Sequence, residues 1–287
     1  MKIMYISDLH GSVPKYEQIH IEALKHEVEA VILGGDLFPY HGKDLVVTQL
    51  NFCEYLTYWM CKLTCDGIYL FYILGNDDLA IMDNKMKELL MNHDTFIHCI
   101  DHLAIEHRGY TFVGMSEVKD PPFGLKDRAR LDYRNDDPTD VFQPHTVYLT
   151  CRGKWEEMPV EEFLIYIQEQ PDLNKILWRL PVDGWEKTVL VAHQPPCGIG
   201  LDITYDGNQV GSQAVYNFIE DTQPLLSLHG HIHESPRRTG IWKTNIGKTI
   251  CIQPGQPRYK LNYVIVDLVN PADAKHFIVE TTFHKRR

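Results

Sequence analysis

Seven residues that follow short apolar runs are of types that bind transition metals through nitrogen or oxygen: Asp8, His10, Asp36, Asn76, His193, His231 and His233. Two carboxylates, four imidazoles and one amide carbonyl form a mixed donor set without thiolates, which suits Mn, Fe, Zn, Co or Ni. Seven donors exceed what one tetrahedral ion takes and suit two ions sharing a carboxylate. Asp36 is the natural bridge, because one carboxylate can give an oxygen to each metal. In Asp8-x-His10, alternate residues of an extended segment point the same way, so both could reach one ion. The same holds for His231-x-His233 if that stretch is extended. Glycines precede Asp36, Asn76 and His231, and glycine permits positive φ, which would aim the next side chain.

Such donors need rigid elements behind them. Ile3 to Ile6 reads as a buried strand ending at Ser7-Asp8, followed by a helix over Val13 to Glu29. Ala30 to Leu33 is the next strand, closed by Gly34-Gly35-Asp36, and Lys43 to Leu63 a long amphipathic helix. Gly67 to Leu74 is a third strand, closed by Gly75-Asn76-Asp77-Asp78, and a helix follows from Ile81 to Asn92. This alternation predicts α/β architecture with a largely parallel first sheet, in which ligands sit beyond the carboxyl ends of the strands. Three donor clusters therefore fall at one sheet edge.

Further along, Glu117 to Trp155 is irregular, charged and rich in Pro, and reads as a loop or lid insertion around residues 117–157 of a single domain spanning 1–287. Pro159 to Gln170 and Ser212 to Asp221 read as helices. Thr188 to Ala192 is a strand ending at His193, and Leu225 to Leu228 one ending in His229-Gly230-His231-Ile232-His233. The tail segments Thr249 to Gln253, Leu261 to Leu268 and His276 to Phe283 read as a second, more antiparallel sheet.

The chain carries 28 basic against 39 acidic side chains, a formal charge of −11. A sequence-independent grip on nucleic acid wants a basic surface, so that partner is disfavoured. A small phosphate ester remains compatible if metal cations supply local positive charge. Seven scattered cysteines read as free thiols in a reducing compartment. The N-terminus reaches an aspartate too soon for a signal peptide, and the clearest apolar run, Ile68 to Leu74, is too short to span a bilayer, so the expected location is the cytoplasm.

The ordered series D-L-H-G, G-G-D, G-N-D, A-H-Q-P-P, G-H-I-H resembles the calcineurin-like metallophosphoesterase superfamily, from Met1 to about Gly255. The stretch HQPPCGIGLD…GHIHES…IQPG looks like a small prokaryotic branch often labelled Icc-like. The resemblance implies a four-layer αββα sandwich of two mixed sheets flanked by helices. It also implies a dinuclear site, with Asp8, His10, Asp36 and His233 on one metal and Asp36, Asn76, His193 and His231 on the other. Two ions about 3.5–4 Å apart can clamp an in-line displacement at phosphorus. Hydrolysis of a small-molecule or nucleotide-like phosphodiester by a metal-bound hydroxide is the implied reaction. A nuclease and a metal-binding scaffold without catalysis are the alternatives.

One departure stands out. Family members often have G-N-H at the third motif, with the histidine thought to protonate the leaving oxygen; this chain has Asp77 there. An ordinary aspartate is ionised at neutral pH and a poor acid. Three other residues have weaker claims. His41, five residues beyond Asp36, could approach the site. Asp202 could orient a metal-binding histidine or simply hold a turn. Arg128, with Arg130 and Arg134, could grip a substrate phosphate, or pair with the aspartates of the charged insertion.

Overall fold

The computed structural model describes residues 1–91, 95–139, 144–151 and 153–281. The expected helix end at Asn92 and strand end at Phe283 lie outside the described residues. The first sheet holds six strands: β1 (Lys2–Ile6), β2 (Ala30–Gly34), β3 (Tyr69–Ile73), β4 (Ile97–Cys99), β15 (Lys260–Asp267) and β16 (Lys275–Glu280), in the order β16-β15-β1-β2-β3-β4. β1 to β4 run parallel, while β15 and β16 are antiparallel additions beside β1. The second sheet also has six strands: β5 (Ile105–His107), β6 (Tyr110–Met115), β11 (Thr188–Ala192), β12 (Leu226–Leu228), β13 (Lys243–Ile246) and β14 (Thr249–Ile252), in the order β13-β14-β12-β11-β6-β5.

The tail is thus divided between the sheets. Only β14 joins the second, where it runs parallel to β12, whereas β15 and β16 return to the first. The second sheet is parallel at its centre and antiparallel only at its edges β5 and β13. The expectation of an antiparallel tail sheet is corrected here. β15 shows apolar residues to both faces, and such a run does not reveal which sheet edge it covers.

Side-chain alternation sets the layers. Ile3, Tyr5, Ala30, Ile32 and Phe71 point from the first sheet at Phe112, Val189, Val191 and Leu228 of the second, forming the buried centre. The opposite face of the first sheet, including Met4, Ile6, Val31 and Leu33, packs on α1 (Val13–Lys25), α2 (Leu45–Cys65) and α3 (Ile81–Leu90). Trp59 of α2 is fully buried there and its indole N–H donates to the Tyr16 carbonyl at 2.7 Å. The outer face of the second sheet packs on α5 (Leu173–Leu177) and α6 (Gln213–Thr222) through Val113, Leu190, Leu177 and Phe218. Two sheets face to face with helices outside both is the expected sandwich.

The insertion is not an irregular loop. It contains a short parallel pair, β7 (Val118–Lys119) with β8 (Ala129–Arg130), and the hairpin β9 (Thr146–Cys151) and β10 (Lys154–Pro159); α4 (Val160–Glu169), the helix expected over Pro159 to Gln170, follows and packs on it. Ala129, Leu131, Val147, Leu149, Phe163 and Ile167 give it its own buried cluster. Pro and charged residues at its turns hide a sparse alternation that is still enough to bury one small face. A short helix, α7 (Ser235–Thr239), follows the last histidine motif.

Candidate metal centre

Each donor lies just past the carboxyl end of a strand: Asp8 and His10 after β1, Asp36 after β2, Asn76 after β3, His193 after β11, His231 and His233 after β12. The loops carrying them are stitched together by their own backbones. Asp8 N–H donates to Gly35 O at 3.0 Å and His10 N–H to Asp36 O at 2.8 Å. His231 N–H donates to Asp8 Oδ1 at 2.9 Å, joining the two sheets. The Asp36 carboxylate accepts from Asp77 N–H at 2.8 Å, so the third motif is tied to the second.

The local backbone differs from the extended alternation expected of Asp8-x-His10. Both residues sit at positive φ, +59° and +47°, as do Asp36 at +54° and His231 at +65°. The left-handed conformation is unfavourable for residues with a Cβ and persists only where surroundings enforce it. Four of the seven donors hold it, so tight turns rather than strand pleat aim these side chains. Gly75 has a separate role: a Cβ there would lie 2.3 Å from Asp36 N and from Asp36 Oδ1. It admits the close approach of two loops.

Asp8, His10 and Asp36 each present a ligand atom within 4.8 Å of the others. His193 Nε2 lies 3.3 Å from Asp36 Oδ2 and 3.1 Å from Asn76 Oδ1. The His231 ring is 5.5 Å from that of His193, and the His233 ring 5.9 Å from that of His10. His10 Nε2 and His193 Nε2 thus both approach Asp36 Oδ2, at 4.0 and 3.3 Å, and the His231 and His233 rings stand beside theirs. Asp8 Oδ2 and His10 Nδ1 are buried without a hydrogen-bond partner. Buried polar atoms left unpaired are costly. Here they belong to residues whose ligand atoms cluster within 4.8 Å, and the N/O set fits a divalent ion.

The electrostatics agree. Burial pushes Asp36 up, but the charge and bond of His193, then His10 and the Asp77 amide, hold it well below the usual carboxylate range. Burial pushes His193 down, yet the Asp36 charge and bond outweigh it and raise it to about 9. His231 is pushed down to about 3 by burial and by His193. Metal binding at the His193 imidazole would compete with its proton. His193 Nδ1 faces Gly34 O at 2.7 Å, which orients Nε2 into the cluster.

Residues supporting this cluster are only partly evident from the sequence. Asp78 is fully buried and accepts from Leu37 N–H at 3.0 Å, Phe38 N–H at 2.8 Å and Gly75 N–H at 2.8 Å, binding two donor loops into one unit. Its place after Asn76-Asp77 is the only signal. Gln253 donates to Gly230 O at 2.9 Å and Ile232 O at 2.6 Å, fixing the His231 turn. His229 is buried, with Nε2 2.9 Å from Ser227 Oγ and Nδ1 3.0 and 3.1 Å from the Ala192 and Gln194 carbonyls that flank His193.

For Asp202 the structure shows the turn reading, and for His41 and Arg128 it corrects the functional one. His41 is exposed, with its ring against Tyr40 at 3.7 Å; Tyr40 instead covers His10, at 4.6 Å. Asp202 does not hold a histidine. Its Oδ2 accepts from Gly198 and Gly211 N–H, both at 3.2 Å, and Oδ1 is unpartnered, so it ties a loop together. Arg128 is buried, donating to Asp83 at 2.6 Å and to Ser116 at 3.1 Å, and cannot reach out as a lid. Burying a guanidinium requires paired acids, and Asp83 and Asp101 supply them.

The donors open onto a cleft of about 640 Å³ lined by His10, Asp36, Asn76, Asp77, His231 and His233 on its floor. Asp77 is one-fifth exposed there, with Oδ2 3.6 Å from His10 Nδ1 and Oδ1 accepting from Asn76 Nδ2 at 3.0 Å. No described helix is long and apolar enough to cross a membrane.

No curated protein matches the chain. Among solved structures, TT1561 of Thermus thermophilus is similar with a TM-score of 0.59 at 18% identity, covering 98% of this chain and 99% of that one. A second aligns with a TM-score of 0.56 at 14% identity over 98% and 99% of the two chains. At these identities the likeness establishes the fold alone. The family described as calcineurin-like phosphoesterase, by contrast, matches residues 1–235 directly. With the two-sheet sandwich and donors at its strand ends, that match over most of the sequence makes this chain a member of the calcineurin-like phosphoesterase family.

Proposed function

We propose that this chain is a dimetal hydrolase of small phosphate esters, foremost diesters with acidic leaving groups. One divalent ion would be held by Asp8, His10, Asp36 and His233, the other by Asp36, Asn76, His193 and His231. The observation that carries this reading is the clustering of Asp8, His10 and Asp36 ligand atoms within 4.8 Å, with Asp8 Oδ2 and His10 Nδ1 buried and without a hydrogen-bond partner. When bound, the ions would lower the pKa of water to about 7 and neutralise phosphoryl oxygens.

The chain's own residues do the rest. Asp36 fixes the separation of the two groups of donors. Gly34 O orients His193, and the Asp8–His231 bond keeps both sheets' donors in register. Asp77 bears on the leaving group. Burial and the Asp36 and Asp78 carboxylates push it up in the ion-free cluster, while bound cations act in the opposite sense. With its charge retained, Asp77 gives little help to a poor leaving group. Among the described residues, Lys119 is the single Lys or Arg lining the cleft, with Asp206 and Glu234 nearby on its wall, which disfavours a polyanion and hence the nuclease reading.

The test is turnover of aryl phosphodiesters over a series of leaving-group pKa values after loading with Mn, Zn or Fe. The expected outcome is activity lost on chelation, restored by metal, and falling steeply as the leaving group becomes more basic. Asp77→His should flatten that slope, raising rates on the poorest leaving groups about ten-fold or more. A flat wild-type slope would remove the role given to Asp77. Bound metal without turnover of any ester would favour a scaffold.

A further inference from the structure

The insertion builds an apolar shelf into the cleft that hydrolysis at the metal centre does not account for. The Lys126 side chain is fully buried; its ammonium donates to Asp120 Oδ1 at 2.6 Å and to the Pro121 carbonyl. The Phe163 ring lies 5.2 Å from the same ammonium. Lys126 N–H donates to Tyr148 O at 2.9 Å, and Tyr148 N–H to Gly124 O at 2.7 Å. Residues 120–126 are therefore drawn into a closed loop, with Pro121 and Pro122 fixing φ on the way to its tip. At that tip stands Phe123, 41% exposed and lining the cleft.

A large ring held out on a braced loop, above donors fit for metals, has a use. We propose that Phe123 and the Pro121-Pro122 pair are the subsite for one arm of the ester, and that this arm is an uncharged aromatic ring. Aromatic rings pack on one another by offset or edge contacts, which favours a ring over a short alkyl group of similar hydrophobicity. Val210 and Ile232 line the same cleft and extend the apolar surface. Asn208 and Gln209, on the loop closed by the Ile203–Gln209 bridge, line the same cleft with polar side chains that can meet the edge of a ring.

Charge sets the second half of the proposal. Among the described residues, Lys119 is the only lysine or arginine of the cleft wall, against Asp206 and Glu234, and Asp120 is already paired with Lys126. An arm bearing a further anionic group would meet more negative than positive charge. The cleft volume of about 640 Å³ lies in the range of small-molecule sites, leaving room for a ring beyond the phosphate.

This inference rests on the hydrolytic reading, and binding separates the two. Phenylphosphonate, methylphosphonate and 4-carboxyphenylphosphonate are titrated calorimetrically into metal-loaded wild-type, Phe123→Ala and Phe123→Trp proteins. Phenylphosphonate should bind wild type about ten-fold tighter than methylphosphonate. That ratio should fall to near one in Phe123→Ala and persist in Phe123→Trp, and the carboxylated ring should bind more weakly than the plain one. Unchanged melting temperatures confirm that the exposed Phe123 position tolerates both changes. Equal affinities in wild type, a ratio unaffected by Phe123→Ala, or no binding of either phosphonate overturns the shelf. Equal binding of the carboxylated and plain rings overturns its preference for an uncharged arm. Failure of the hydrolytic reading looks different: a phenyl preference that depends on Phe123, with no ester turned over.

Discussion

Two clusters of aspartate, glutamate and histidine look alike by composition and behave in opposite ways. Asp8, His10 and Asp36 form one; Asp101, His102 and Glu117 form the other, each with ligand atoms within 4.8 Å. In the second, Asp101 accepts from Ser116 N–H at 2.9 Å and Ser116 Oγ at 2.8 Å, and Glu117 meets His102 Nε2 at 2.8 Å. Arg128 Nη1 stands 3.7 Å from Asp101. The chain supplies its own cation there. In the first cluster no lysine or arginine among the described residues makes an ion pair with Asp8 or Asp36, and donor atoms remain unpaired. Residue types alone do not distinguish the two clusters; what differs is that the first combines clustered donor types with unpaired donor atoms, whereas the second is paired with an arginine.

The largest effect that could break this contrast is at the bridge. Asp36→Asn should cost more than about 100-fold in kcat/KM and at least one ion per chain by elemental analysis, since even indirect partners of a metal are worth about 10–100-fold. Full activity in that variant would end the bridge assignment. At the second cluster, Arg128→Met should leave metal content unchanged and instead destabilise the fold by about 1–3 kcal/mol in urea unfolding, because it takes the cation from half-buried Asp101 and a donor from Ser116 Oγ. Loss of metal without loss of stability would reverse the roles assigned to the clusters.

The smallest effect sharpens the comparison through pH. The Glu117 hydrogen bond raises His102 to about 9, despite partial burial. Burial pushes Glu117 up, but His102 outweighs it and holds it at about 2. The His102 contribution is complete below its unfolded value of about 6.5 and disappears as pH rises through 9. Glu117 contributes above about 4.5 and loses that contribution as pH falls through 2. His102→Gln should therefore destabilise most between about pH 4.5 and 6.5. The difference from wild type should shrink towards pH 9, as read by melting temperature. His102 is nearly half exposed, so solvent screening limits the effect to about 1 kcal/mol. A difference constant across that range would show that the pair is not linked by charge.

Much of the molecule is legible along the chain. The expected helices over Val13 to Glu29, Lys43 to Leu63 and Ser212 to Asp221 match α1, α2 and α6 to within a few residues. Their apolar spacing is local and strong, and Ser212 caps α6 as its type suggests, accepting from Val215 N–H at 3.0 Å. Asp8, Asp36, Asn76 and His193 are readable as donors because each closes an apolar strand. Arg128 reads as a candidate grip on phosphate because its partners Asp83 and Asp101 are distant in sequence. The insertion reads as a loop because its few apolar residues alternate weakly between charged neighbours.

The sequence by itself determined the donor chemistry, the strand ends that carry it and the α/β alternation, because these depend on residue type and on neighbours a few positions apart. Tertiary structure decided which sheet received β15 and β16, which arginine was buried, and how Asp8 came to meet His231, 223 positions away. It also decided the left-handed backbone at four donors and the outward set of Phe123. Such features are fixed by contacts between remote segments: packing and hydrogen bonds formed only on folding hold the chain where local preference alone would not.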